Sequence, residues 1–88
     1  MNTGRTFLPF SNYVNNILDI TNKHNIDNDH IEKLIKSYNS TIIYSSPEAR
    51  EHVDDRYKIM IFNHICNITP TFNDDTSNEL KDFFNKFT

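Results

Sequence analysis

Apolar residues recur along this chain at helical spacing in four separate segments. Val14, Ile17, Leu18 and Thr21 follow the i, i+3, i+4, i+7 rule, and Ser11 ahead of them is a suitable N-cap. This predicts a first helix over 11–23. A polar connector, NKHNIDND, follows. Ile31, Leu34, Ile35, Tyr38 and Ile42 then repeat at the same spacing, behind Asp29 or Asn28 as cap and with Glu32 at capping-box distance from Asp29. They predict a second helix over 29–42. The run STIIYSS at 40–46 is β-branched, but the chain offers it no partner strand, so it reads as a fraying helix end or a connector.

The third segment changes character along its length. Ser46-Pro47 is a strong helix start, with Glu48 and Glu51 where the helix dipole favours negative charge. Val53, Tyr57, Met60, Ile61, His64 and Ile68 mark one face, while Ile59, Phe62 and Cys66 mark another. The first half, PEAREHVDDRYK, is densely charged; the second, IMIFNHICNI, is apolar on nearly every side. A lone amphipathic helix keeps its polar stripe throughout. Here the stripe closes up, so the second half is expected to be surrounded by other helices or by a second subunit. A helix over 47–68 spans ~33 Å at 1.5 Å per residue and is the expected central element. Pro70 ends it by restricting Thr69. Thr76 and Glu79 form a T-x-x-E capping box before a last helix over 76–87, with Leu80, Phe83, Phe84 and Phe87 on one face. Residues 1–10 read as an extended arm, because Pro9 disfavours helix at Leu8.

The expectation is one all-α domain over 1–88, a small four-helix bundle or orthogonal helical array with its third helix longest and central. Eighty-eight residues bury about 60–65% of the unfolded surface, so the core is thin and oligomerisation is a natural supplement. A homodimer or higher homo-oligomer is therefore expected.

Charge and composition narrow the function. Nine Lys and Arg are scattered among twelve acids, for a net charge of −3, which weighs against binding nucleic acid through a basic surface. No stretch approaches the ~20 apolar residues of a membrane span, and the first ten residues do not read as a secretory signal. A cytoplasmic location follows as an expectation, in the host cytoplasm if the gene is carried by a phage or virus. Thirteen Asn and eleven Ile against one Gly and one Ala point to an AT-rich genome, such as those of many phages and large DNA viruses. The lone Gly4 excludes a P-loop, a dinucleotide G-x-G-x-x-G and a G-x-S-x-G elbow, which need several glycines for close backbone approach or a sharp turn. One cysteine excludes an internal disulfide and a multi-cysteine zinc site.

The remaining constellations favour binding over catalysis. Glu48, His52, Asp55 and Arg56 share a helix face, where i,i+4 charge support is the plainer explanation than an oriented acid–base histidine. Two residues apart on a helix means about 200° of rotation, so His64 and Cys66 cannot form a dyad. Cys66 reads as a small buried hydrophobe and His64 as a core or interface histidine. His24, His30, His52 and His64 lack ligand-pair spacing, and neither metal nor cofactor is expected.

The leading expectation is a small non-enzymatic protein that binds a protein partner stoichiometrically, as an inhibitor, immunity or accessory factor. Arg50, Asp54, Asp55 and Arg56 offer mixed-sign directional contacts, and Phe7, Leu8 and Phe10 an apolar one. The alternative is an oligomer that sequesters a nucleotide-like anion with Arg50, Arg56, Lys58 and Tyr57. A nucleic-acid-associated factor ranks third, because acids in PEAREHVDD repel phosphate.

Overall fold

Side-chain caps open the third and fourth helices, and the first two start without one. In the computed structural model, which describes residues 5–88, the helices are α1 (Phe10–Lys23), α2 (Asp29–Ile43), α3 (Pro47–Ile68) and α4 (Asp74–Lys86). The chain is all-α, as its periodicity predicts, and the 22-residue α3 is the longest element. Ser46 Oγ accepts from the Ala49 amide at 3.2 Å, and Pro47 occupies the first helical position, where a missing N–H costs nothing. Past Ile68 the backbone tightens into a 3-10 turn, Thr69–Thr71, around Pro70.

Two starts differ from expectation. α1 begins at Phe10, so Ser11 lies inside the first turn and the Pro9 carbonyl accepts from the Tyr13 amide at 2.9 Å. Burial of Phe10, whose ring stacks on Tyr38 with centroids 3.7 Å apart, draws that residue into the helix. α4 begins at Asp74 because Asn73 is its cap: Asn73 Oδ1 accepts from both the Thr76 amide and the Thr76 hydroxyl. Thr76 is buried beneath that bond, and Glu79 turns away to Lys23 and His24 at the end of α1. The close of α1 is a Schellman motif. Asn25 takes φ 59°, and the Ile26 amide returns to the Thr21 carbonyl at 2.8 Å. The β-branched run after Ser40 continues helix as far as Ile43.

The helices pack in the order α2–α3–α1–α4, with α4 also reaching α3 through a T-shaped contact of Phe62 and Phe84. The extents are 40 × 38 × 19 Å, so the molecule is a slab about two helix diameters thick. Ile17, Ile31, Ile61, Ile65 and Leu80 are the fully buried apolar centre. A slab has little interior for its surface, and among the described residues no helix covers the Ile59 side of α3.

The Thr6–Leu8 and Lys86–Thr88 segments meet over α3. Thr6 pairs with Phe87 in an isolated parallel bridge, with Thr6 N–H to Lys86 O at 2.8 Å, Thr88 N–H to Thr6 O at 3.0 Å and Leu8 N–H to Thr88 O at 3.0 Å. Beneath this bridge lies Lys58, 3% exposed. Its ammonium donates to the carbonyls of Leu8 and Thr88, the latter at 2.7 Å, and sits 4.3 Å from the Phe7 ring centroid and 5.2 Å from that of Tyr13. Burying an unpaired ion costs several kcal/mol, of order ~3 or more. Two charge-assisted hydrogen bonds and two aromatic faces offset that cost only while the arm and the Phe87–Thr88 segment stay in place. Residues 1–4 of the expected arm lie outside the described residues.

Lys58 is therefore expected to dominate the stability of the closed ends. Lys58→Ala should lower stability by about 2–4 kcal/mol and the melting temperature by roughly 10–20 °C in a domain of this size. Lys58→Met keeps the apolar stem and should still melt below wild type in a calorimetric scan. A Met variant as stable as wild type would show that the ammonium does not hold the ends.

Candidate functional site

The charged half of α3 divides into an inward and an outward set. Asp54 is half-buried and accepts a hydrogen bond from the Tyr38 hydroxyl. Burial, reinforced by the Asp54 bond and charge, pushes the Tyr38 phenol up to about 12. Arg50, Asp55 and Arg56 are exposed. The Arg50 Nε donates to the Ser45 carbonyl at 3.3 Å, which ties it to the α2–α3 turn. Among the described residues, no ion pair joins Arg50, Asp54, Asp55, Arg56 or the Glu48–His52 pair. Three of the four expected contact charges thus face solvent, and Asp54 is occupied by Tyr38.

That same turn carries two apolar side chains that sequence reasoning did not single out. Tyr44 is 89% exposed and Ile43 67% exposed, at the end of α2 beside the start of α3. The available signal was positional: the core stripe of α2 ends at Ile42, which leaves the next two residues outside it. Together with Arg50 they form a tip with aliphatic, aromatic and guanidinium groups.

The expected arm residues separate. Phe10 belongs to the core, Leu8 packs partly against it, and exposed Phe7 lies over the Lys58 ammonium. The four residues considered for an anion also separate. Arg50 and Arg56 are in solvent, while Tyr57 and Lys58 are buried. The Tyr57 hydroxyl bonds Ser37 at 2.9 Å and Thr41 at 3.4 Å, and these bonds hold its phenol below the usual range. Burial lowers the Lys58 pKa, partly opposed by Asp54 and Asp55.

The apolar half of α3 divides as well. Ile61 and Ile65 are in the core, whereas Ile59 (58% exposed), Phe62 (37%) and Cys66 face outward. The thiol expected in the interior is on the surface, at the open side of α3 beside Ser77 and Lys81 of α4. This outward row borders a groove against α4 in two connected parts, 480 Å³ and 350 Å³, which share Arg5, Phe62 and Phe84. Its walls are mainly carbon.

His64 faces α2, where its ring lies 4.3 Å from that of His30. Burial lowers the His64 pKa, the His30 charge lowers it further, and Asp27 opposes both. His24 is held by Glu79, and His52 is exposed. Among the described residues, no group of three or more His, Cys, Asp or Glu is gathered as a metal would require. Nor is any helix among them long and apolar enough to cross a membrane.

No family model, curated protein or solved structure matches the chain.

The histidine pair generates a pH prediction. A histidine whose folded pKa lies below its unfolded value contributes stability above the unfolded pKa, and that stability is lost as pH falls toward the folded value. The melting temperature should fall between about pH 7.5 and about pH 5.5, and His64→Gln should flatten that fall. An unchanged slope in the variant would remove His64 as the cause.

Proposed function

We propose that this protein acts by stoichiometric, non-enzymatic binding of a protein partner inside the cell, as an inhibitor, immunity or accessory factor, and that it does so as a homo-oligomer. The carrying observation is the tip formed by Ile43, Tyr44 and Arg50. Monomeric surfaces hold scattered apolar side chains without consequence, but an exposed tyrosine near an exposed arginine brings together two of the residue types enriched at interface hot spots. The Ser45 carbonyl already orients the guanidinium, which reduces the ordering cost on binding. Asp55 and Arg56 extend the surface along α3 with charges of both signs, which select a partner by complementarity. A phage or viral origin fits the AT-rich composition and remains part of the proposal.

The anion-sequestering alternative draws less support from the geometry. Its four residues do not converge, and the Lys58 ammonium and Tyr57 hydroxyl are committed to internal partners.

The test is capture from the native host followed by mass measurement of the intact complex. A defined protein should co-purify at fixed stoichiometry. Tyr44→Ala should weaken its binding by about 2 kcal/mol, close to thirtyfold, and Arg50→Glu should weaken it at least as much. Equal binding by both variants would exclude the tip. Stabilisation of the purified protein by a nucleotide, with no protein captured, would favour the alternative.

A further inference from the structure

The groove between α3 and α4 has the opposite sign of charge to the chain around it. The chain carries −3 overall, yet the groove walls hold the cations Arg5, Lys58 and Lys81 against one acidic side chain, Asp55. Among the described residues, no side-chain carboxylate forms an ion pair with any of the three. Arg5 lines both parts, so an exposed guanidinium stands where they meet. Between these charges the walls are mainly carbon, from Ile59, Phe62, Phe84 and Phe87. At 480 Å³ and 350 Å³, each part is within the ~300–1,000 Å³ of small-molecule sites, which combine apolar walls with a few converging polar groups. Such a site suits an anion with an apolar body. A nucleotide or inorganic phosphate would leave the carbon walls unused.

Tyr13 supplies a polar group that lacks a partner. It is only 4% exposed, and it lines the larger part of the groove from α1. Phe83 and Phe84 fix its ring, at centroid distances of 5.4 and 6.3 Å. Its hydroxyl has no hydrogen-bond partner among the described residues, and unlike Asn28 Oδ1 it is not sealed inside the fold. The Arg5 charge and the Cys66 thiol, both on the groove, act on the phenol, which places it toward their side. Burial pushes that phenol up to about 12, so at neutral pH it is a protonated donor. The Lys58 ammonium lies 5.2 Å from the same ring and spends two of its three donors on the carbonyls of Leu8 and Thr88. Its clamp is compatible with one more acceptor.

We propose that the α3–α4 groove binds a free long-chain carboxylate, its head group held by Arg5 and Tyr13 beside Lys58. Tyr13 and the Arg5 guanidinium donate charge-assisted hydrogen bonds to the two carboxylate oxygens. The acyl chain runs past Phe62 and Phe84, which both parts share, toward Cys66. It covers apolar surface that α3 leaves in solvent. An unbranched chain fits two connected parts better than a compact body does. The tip at Ile43–Tyr44 is on the α2–α3 turn, outside the groove, so this site goes beyond the partner binding proposed above and does not depend on it.

Calorimetric titration of the full chain with dodecanoate, below its micelle concentration, tests the site. One equivalent should bind per chain with a Kd of roughly 1–100 µM. Octanoate should bind more weakly, since each buried methylene adds up to roughly fourfold. Dodecyltrimethylammonium, with the same tail and the opposite charge, should not bind. Arg5→Gln and Tyr13→Phe, which keeps the ring, should each weaken dodecanoate by roughly tenfold with helical circular dichroism unchanged. If Tyr13→Phe loses helicity, Arg5→Gln at its exposed position decides alone. Bound dodecanoate should also slow alkylation of the Cys66 thiol. No saturable binding of dodecanoate overturns the proposal, as does equal affinity for the ammonium amphiphile or undiminished affinity in Arg5→Gln. Retention on phosphatidylglycerol vesicles by a protein that ignores dissolved dodecanoate overturns it in favour of a membrane surface.

Discussion

The buried ammonium of Lys58 is the constraint on which the form of this molecule depends. A charge in an apolar setting is tolerated only when its donors are used, and here they are used on the backbone of two segments remote in sequence, Leu8 and Thr88. Lys58 projects from the middle of α3, so the longest helix holds the arm and the Phe87–Thr88 segment together. The isolated bridge between Thr6 and Phe87 is too short to persist alone, since even a two-stranded hairpin is marginal in water. It persists because the lysine beneath it needs both carbonyls.

This clamp also shapes the surface. Lys58, Phe87 and Thr88 line the larger part of the groove, so the wall that faces Ile59 and Phe62 is built from the clamped segment. A flat array of four helices lacks the material to cover every face of its longest member. The uncovered face of α3 keeps its apolar side chains, and the covered face supplies Ile61 and Ile65 to the core. One helix thus serves as core element and fastener, with a partly uncovered apolar side and a charged first half that leads to the tip at Tyr44.

The helices were legible in the sequence because hydrophobic periodicity marked all four, although only at Ser46-Pro47 does the expected cap make its bond. Ser46-Pro47 marked α3 to the residue, and the stripe from Ile31 to Ile42 marked α2 within one residue of its end. At α4 two good caps competed. Asn73 won because its side chain bonds both the amide and the hydroxyl of Thr76, while Glu79 found a lysine and a histidine across the fold. The sites were less legible, for a physical reason. Lys58 sits in a run of charges and looks like a surface residue; only the third dimension places two carbonyls and two rings around it. Asp54 likewise looks free until Tyr38 reaches it. The apolar second half of α3 was expected to be surrounded, and the structure leaves Ile59, Met60, Phe62 and Cys66 exposed, because periodicity does not say which of its faces the other helices leave bare.

The clamp is tested most directly by amide hydrogen exchange at Thr6, Leu8 and Thr88, the three donors of the joined ends. These amides should be protected well above fraying-terminus levels in wild type. In Lys58→Met they should exchange freely, while amides of α2 and of the core face of α3 keep most of their protection. Protection at Leu8 and Thr88 that is unchanged in the variant, or absent from wild type, would contradict the claim that the buried lysine fastens the Thr6–Leu8 and Lys86–Thr88 segments.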